Sequence, residues 1–285
     1  MAFDTFDPRM KTVAERALAH CRQQFGGKGL VVEQGISPSI SWRPTFICRP
    51  TSRSIVGVEV ADNLYPEILK GAAHDISFYD APIAVYQACS LDAYQRDPKQ
   101  ARVNLLRQNG IGIITVDEDG RAVMQHPSVP LAQHIQESRL ENGIKTLTAK
   151  LKVGFRAAYQ TYLTNIGQGL QQAGQIVEAI VLSMASQAVK KGHIPAGSER
   201  GSLADVIDAL YQEAKLKQHR AALGAARSFI KEFRNTASHP AKTAKQAAEK
   251  MRRCRDGFHE SIETSVKLQT VFQAMDYKLT VHITQ

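Results

Sequence analysis

Two apolar runs with a short helical stretch between them constrain this chain most. APIAVYQAC (81–89) and IGIITVDEDG (111–120) are nearly continuous in apolar residues until the second reaches its turn. A strand buried on both faces has that pattern, as the inner strands of a parallel sheet do. Between them, RDPKQARVNLLRQNG (96–110) predicts a short helix closed by glycine. Strand, helix and strand make a βαβ unit, whose natural setting is a mixed sheet with helices on its faces. The flanking segments fit that setting. Residues 9–26 predict an amphipathic helix with Val13, Ala17, Leu18 and Cys21 at helical spacing. LVVEQG (30–35), PTFICRP (44–50) and SIVGVEV (54–60) predict short strands, 63–79 a mostly helical connection, and RAVMQH a strand pairing back on 111–120.

Beyond residue 120 the character changes. MQHPSVPLAQHIQ carries two prolines that break regular structure, and from about 131 the chain is polar and helix-prone. The division expected is 1–135 as an α/β domain and 136–285 as an all-α domain. Residues 131–164 are expected to connect the two rather than join either core. Long amphipathic helices are predicted over 165–191, over SLADVIDALYQEA with Ser202 and Asp205 as a capping box, over 221–239, and over 241–275. YKLTVHITQ (277–285) alternates like a short strand or a tail.

Charge separates the halves. Residues 1–140 hold 15 basic and 15 acidic residues, whereas 141–285 hold 21 basic and 12 acidic, the whole net charge of +9. A basic helical half is suited to a polyanion. No apolar run approaches the ~18–20 residues that span a bilayer. MAFDTFDPRM predicts no secretory signal, and Cys21, Cys48, Cys89 and Cys254 are too scattered for a zinc knuckle or redox pair. Cytoplasmic location, reduced thiols and no membrane partner are therefore expected. No P-loop, dinucleotide fingerprint or Gly-x-Ser-x-Gly elbow occurs.

The segment KEFRNTASHPA (231–241) carries Arg234, Asn235 and His239 in the order R-N-x-x-x-H, followed by Pro240. It falls between the last two long helices predicted. With that context, residues 140–275 resemble the HEPN superfamily, whose motif is an arginine, a polar residue, three to five further residues and a histidine. The resemblance implies a four-helix bundle and, as in many members, a metal-independent ribonuclease without cofactor. Catalytic residues would be Arg234, Asn235 and His239. Histidine can take or give a proton near neutral pH, and arginine can hold two phosphate oxygens as charge builds. Asn235 can orient the histidine or donate to phosphate. The family builds its cleft from two facing motifs, so a C2 homodimer is implied. In the family a polar or acidic residue on the first long helix often sits close to the motif; here Glu178 stands there, either to pair with Arg234 in support of the motif or to face solvent. Lys242, Lys245, Lys250, Arg252, Arg253 and Arg255 follow the motif directly, and are read as its RNA-binding surface.

Residues 1–130 resemble the restriction-endonuclease-like fold of the PD-(D/E)xK nucleases. That family places an aspartate on one strand and Glu-x-Lys on the next to hold Mg²⁺. Here Thr45 stands for the aspartate and Ala61 for the lysine, leaving Glu59 alone, with Asp62, Asp75 and Asp80 as possible replacements. A catalytically degraded nuclease fold that binds a trigger or inhibitory partner is expected. Trp42, Phe46 and Tyr79 are expected in cores or interfaces, and His193, His259 and His282 have no partner at useful spacing.

The function expected is a homodimeric, metal-independent endoribonuclease, an effector of a bacterial toxin–antitoxin or antiphage system. The alternatives are a non-catalytic RNA- or nucleotide-binding dimer and a Mg²⁺-dependent DNA nuclease in the first domain.

Overall fold

The computed structural model describes residues 3–26, 31–32, 35–233 and 240–280. The chain divides into two units, Met1–Glu137 with Ala241–Arg252, and Ser138–Pro240 with Arg253–Gln285.

In the first unit, α1 (Pro8–Phe25) starts where the Asp7 carboxylate accepts the backbone N–H groups of Arg9 and Met10, both at 3.0 Å. That cap satisfies donors that have no partner within the helix. A six-stranded sheet runs in chain order: β1 (Val31–Val32), β2 (Phe46–Thr51), β3 (Ser54–Val60), β4 (Ile83–Ser90), β5 (Gly112–Val116) and β6 (Ala122–His126). β3, β4 and β5 are parallel and the other pairings antiparallel, so the sheet is mixed. The first parallel crossover holds a 3₁₀ turn (Glu67–Lys70) and α2 (Ala72–Ser77); the second holds α3 (Leu91–Gln95) and α4 (Ala101–Gln108). Both step the same way across the sheet, and crossovers of one hand then lie on one face. Ile68, Ile76, Val103 and Leu106 pack there against Ile47, Ile55, Ile83 and Val85. α1 covers the other face, where Val13, Ala17 and Cys21 meet Phe46, Val58, Tyr86 and Ile114. The strands expected at 54–60, 81–89 and 111–120 are present, and 122–126 pairs back as expected. The helix α3 was not foreseen.

The helices that follow are α5 (Glu137–Ile144), α6 (Ala149–Thr164), α7 (Ile166–Lys190), α8 (Leu203–Gln212), α9 (Arg220–Phe233) and α10 (Ala244–Ala274). The capping box of Ser202 and Asp205 is formed. The expectation that 131–164 merely connects two cores is corrected. Leu151, Phe155, Ala158, Tyr159 and Tyr162 recur on one face of α6 and are buried. α6 and α7 touch so closely that a Cβ at Gly169 would overlap the backbone of Tyr162. The second unit thus adds α5 and α6 to the four helices expected. Phe258 of α10 lies at its centre, with the rings of Tyr162, Tyr159 and Phe155 at 5.1, 6.3 and 6.4 Å. Ala241–Arg252, expected in the helical half, belongs to the first unit. Residues 277–280 form no strand, and 281–285, like Arg234, Asn235 and His239, lie outside the described residues.

Candidate functional site

The described chain reaches the R-N-x-x-x-H segment from both sides. On the approach, α9 buries Ala222, Leu223, Ala226 and Phe229. Phe229 lies beside Gly174 of α7, and a Cβ at Gly257 of α10 would meet both the Phe233 ring and Leu170 of α7. The last residue of α9 is therefore held at Gly257, beside the early part of α7. Glu178 stands eight residues beyond Leu170, about 12 Å further along that helix. It lines a groove of about 660 Å³ between α6 and α7, with Lys150, Val153 and Leu182. Its place is thus two turns away from the level where α9 ends.

On the departure side, Thr243 and Gln246 cap α10. The Gln246 backbone N–H donates to Thr243 Oγ1 at 3.2 Å, and Gln246 Oε1 accepts the N–H groups of Lys242 and Thr243 at 2.8 and 3.3 Å. This is the reciprocal satisfaction of a capping box, with glutamine in the acidic position. Arg53 Nη1 donates to the Ala241 carbonyl at 2.6 Å, and Lys245 Nζ lies 3.5 Å from Asp80 Oδ2. Arg252 Nη1 donates to the carbonyl oxygens of Tyr79 and Ser77, at 3.0 and 3.4 Å, just past the end of α2. A cation there satisfies carbonyls that a helix end leaves without partners.

The six basic residues do not form one stripe. Successive helical positions turn by about 100°, which spreads Lys245, Lys250, Arg252, Arg253 and Arg255 around α10. Lys242 precedes the helix and is exposed, as are Lys245 and Arg253. Lys250 and Arg252 are half-buried. Arg253, one turn before Gly257, shares the face that receives Phe233. Arg255 points elsewhere; its Nε donates to Asp256 Oδ1 at 3.0 Å, and its side chain is only 18% exposed.

Arg255 instead shares a face with His259, one turn on. This face meets α5, since a Cβ at Gly143 would touch Ile262 at 3.2 Å. Burial pushes the His259 pKa down to about 4, with further lowering by Arg139 and Arg255 and opposition from Asp256. His259 therefore has charged neighbours that its own helix showed only in part; Arg139 comes from a distant stretch of sequence. In the unfolded chain a histidine titrates near 6.5. The folded value is lower, so the contribution of neutral His259 to stability is complete above about pH 6.5 and lost as pH falls towards 4. His259→Gln is expected to remove about 2 kcal/mol of that fall, allowing for solvent screening. Thermal melts of both proteins at pH 7 and pH 5 check it. Parallel losses in the two would show that His259 is not responsible.

In the first unit, Glu59 is half-buried on β3. Its Oε2 accepts Trp42 Nε1–H at 2.9 Å and its Oε1 the Glu67 backbone N–H at 2.6 Å. Burial raises its pKa, against the pull of these hydrogen bonds. Thr45 Oγ1 accepts the Val60 N–H at 3.0 Å. Both Asp62 oxygens accept from Ser90, its N–H at 2.7 Å and its hydroxyl at 2.9 Å. Asp75 is exposed on α2, and Asp80 faces Lys245. Among the described residues, no group of three or more His, Cys, Asp or Glu is placed to hold a metal ion. Trp42 and Phe46 are buried, and Tyr79 packs against the core beneath α2. All four cysteines are buried free thiols. Among the described residues, no helix is long and apolar enough to cross a membrane.

No family model, curated protein or solved structure matches the chain.

Proposed function

We propose that this protein is a metal-independent endoribonuclease that works as a homodimer, the effector of a bacterial toxin–antitoxin or antiphage system. The observation that carries this is the R-N-x-x-x-H sequence of Arg234, Asn235 and His239, set in the basic half of the chain between the end of α9 at Phe233 and the start of α10 at Ala244. RNA brings its own nucleophile. His239 takes the proton from a ribose 2′-OH as that oxygen attacks the adjacent phosphorus. Arg234 holds the phosphate oxygens as charge builds on them. The P–O5′ bond breaks and the 5′ oxygen takes up a proton from solvent, giving a 2′,3′-cyclic phosphate and a free 5′-hydroxyl, while protonated His239 returns its proton to solvent. Two motifs facing across a C2 axis complete the cleft. Of the basic residues, exposed Lys242, Lys245 and Arg253 are the best placed to meet a phosphate backbone.

The first unit serves recognition of a trigger or inhibitor. Supporting this, Glu59 spends both oxygens on Trp42 and Glu67, and Thr45 and Ala61 occupy the positions of the aspartate and lysine of an active nuclease.

The test is incubation of the purified protein with total RNA and tRNA in EDTA, followed by end mapping. Cleavage that leaves 2′,3′-cyclic phosphate in wild type, absent from Arg234→Ala, is expected. Arg234-dependent RNA binding without cutting would select a binding role instead. Nicking of DNA that needs Mg²⁺ and is lost in Glu59→Ala would move the activity to the first unit.

A further inference from the structure

We propose that the α6–α7 hairpin is the contact between two copies of this chain, each laying its groove face on the other's about a two-fold axis parallel to the hairpin. The proposal rests on the homodimer of the function proposed above and locates its contact. α6 and α7 meet at the single residue Asn165 and fold back on each other, with the groove of about 660 Å³ between them. Val153 and Ala157 line it from α6, and Gln175, Ala179 and Leu182 line it from α7. Steps of four and of three along a helix are the spacing by which one helix seats its side chains between those of another. Val153 and Leu182 are 53% and 43% exposed, among the large hydrophobics left open to solvent in the described residues. A groove with apolar residues exposed along it marks an interaction surface.

The charges on this face fit a second copy. Lys150 and Glu178 both line the groove, Lys150 standing 15 residues before Asn165 and Glu178 13 residues after it. They lie about 22 and 20 Å from the bend, at one level of the hairpin. A two-fold axis parallel to the helices sets α6 of one copy over the partner's α7 and keeps the levels matched. Each Lys150 then meets the partner subunit's Glu178, and the contact is made twice. The lysine stem covers the partner's Leu182, and Val153 lies against the partner's Ala179. An axis across the helices would set α6 over α6 and α7 over α7, leaving the opposite charges on separate seams. α6 has 16 residues, about 24 Å, and two helices side by side are about 20 Å wide. Such a face buries about 500 Å² on each copy, or about 1,000 Å² in the pair, the lower bound of a specific interface.

The experiment follows the full chain by sedimentation equilibrium from about 1 to about 200 μM, a range in which an interface at this lower bound exchanges with monomer. Wild type is expected to dimerise there. Leu182→Lys, at an exposed position that would face the partner's Lys150, is expected to raise Kd about tenfold or more. Lys150→Glu and Glu178→Lys are each expected to weaken the dimer about tenfold, because each sets like charges together at both contacts. An equimolar mixture of these two variants is expected to form a heterodimer within about threefold of the wild-type Kd, since each chain supplies the charge that the other lost. Only contact between copies produces that rescue. Circular dichroism checks that helix content is kept. A wild-type dimer that all three variants leave intact would overturn the proposal and move the two-fold axis to another face, while the homodimer reading survives. A mixture no tighter than either variant alone would overturn it as well. A wild type that stays monomeric throughout would overturn both this contact and the homodimer reading, and leave the groove to a helix of a different protein. RNA cleavage in EDTA, read separately on the same samples, keeps the ribonuclease reading apart from both outcomes.

Discussion

RNA cleavage by His239→Ala is expected to fall by about 10³-fold, within the range that loss of a general acid–base group produces. The ribose 2′-OH is a weak nucleophile until a base takes its proton in the transition state. Without the imidazole, water must do so. Binding by Arg234 and the basic residues persists, so KM should change little while kcat collapses. Residual activity then reports what charge stabilisation by Arg234 achieves alone. Initial rates over a series of RNA concentrations in EDTA measure the effect, with circular dichroism to confirm that the helices remain. Activity within threefold of wild type would remove His239 from the mechanism, and with it the assignment of R-N-x-x-x-H as the cutting motif.

The second large effect concerns what holds that segment's approach in place. Phe258→Ala is expected to destabilise the second unit by about 4 kcal/mol. Phe258 is fully buried, and the rings of Phe155, Tyr159 and Tyr162 surround it. Truncation removes the transfer energy of a ring and leaves a cavity that rigid aromatic neighbours on α6 fill poorly. Phe258→Leu keeps much of the volume and should cost about 1.5 kcal/mol. Because the chain has two units, a single-transition fit is inappropriate, and the loss should show in the transition of the second unit. Urea unfolding followed by tyrosine fluorescence and by amide exchange in α6 and α10 measures it. A loss below 1 kcal/mol for the alanine variant would mean that this ring cluster is not the core of the unit. Since Gly257, which receives Phe233, is the neighbouring residue, the variant should also loosen the end of α9.

Much of the architecture was legible because it depends on neighbours in sequence. The continuous apolar runs at 81–89 and 111–120 became β4 and β5, since an inner strand covered on both faces has no polar side to show. Ser202 and Asp205 capped α8 because a capping box is complete within four residues. The face of α6 was also written in the spacing of Leu151, Phe155, Tyr159 and Tyr162, but Lys150, Lys152 and Arg156 among them masked it as a polar connector.

The candidate site divides along the same line. The order of Arg234, Asn235 and His239 is a property of the sequence, as is the surplus of basic residues after it. Where those bases point is not. Adjacency on a helix disperses side chains by about 100° a step, so Arg252 reaches the end of α2 and Arg255 reaches Asp256. Likewise, Arg53 and Ala241 are 188 residues apart, and no local pattern announces their bond. Sequence alone determined most of the elements, the mixed sheet and the motif, because spacing and turn chemistry act over a few residues. Only tertiary structure decided that α6 joins a core, that Glu178 faces a groove two turns from the end of α9, and that 241–252 belongs to the first unit. Those outcomes depend on which distant surfaces exclude water together, and that partner choice lies outside any local window of the chain.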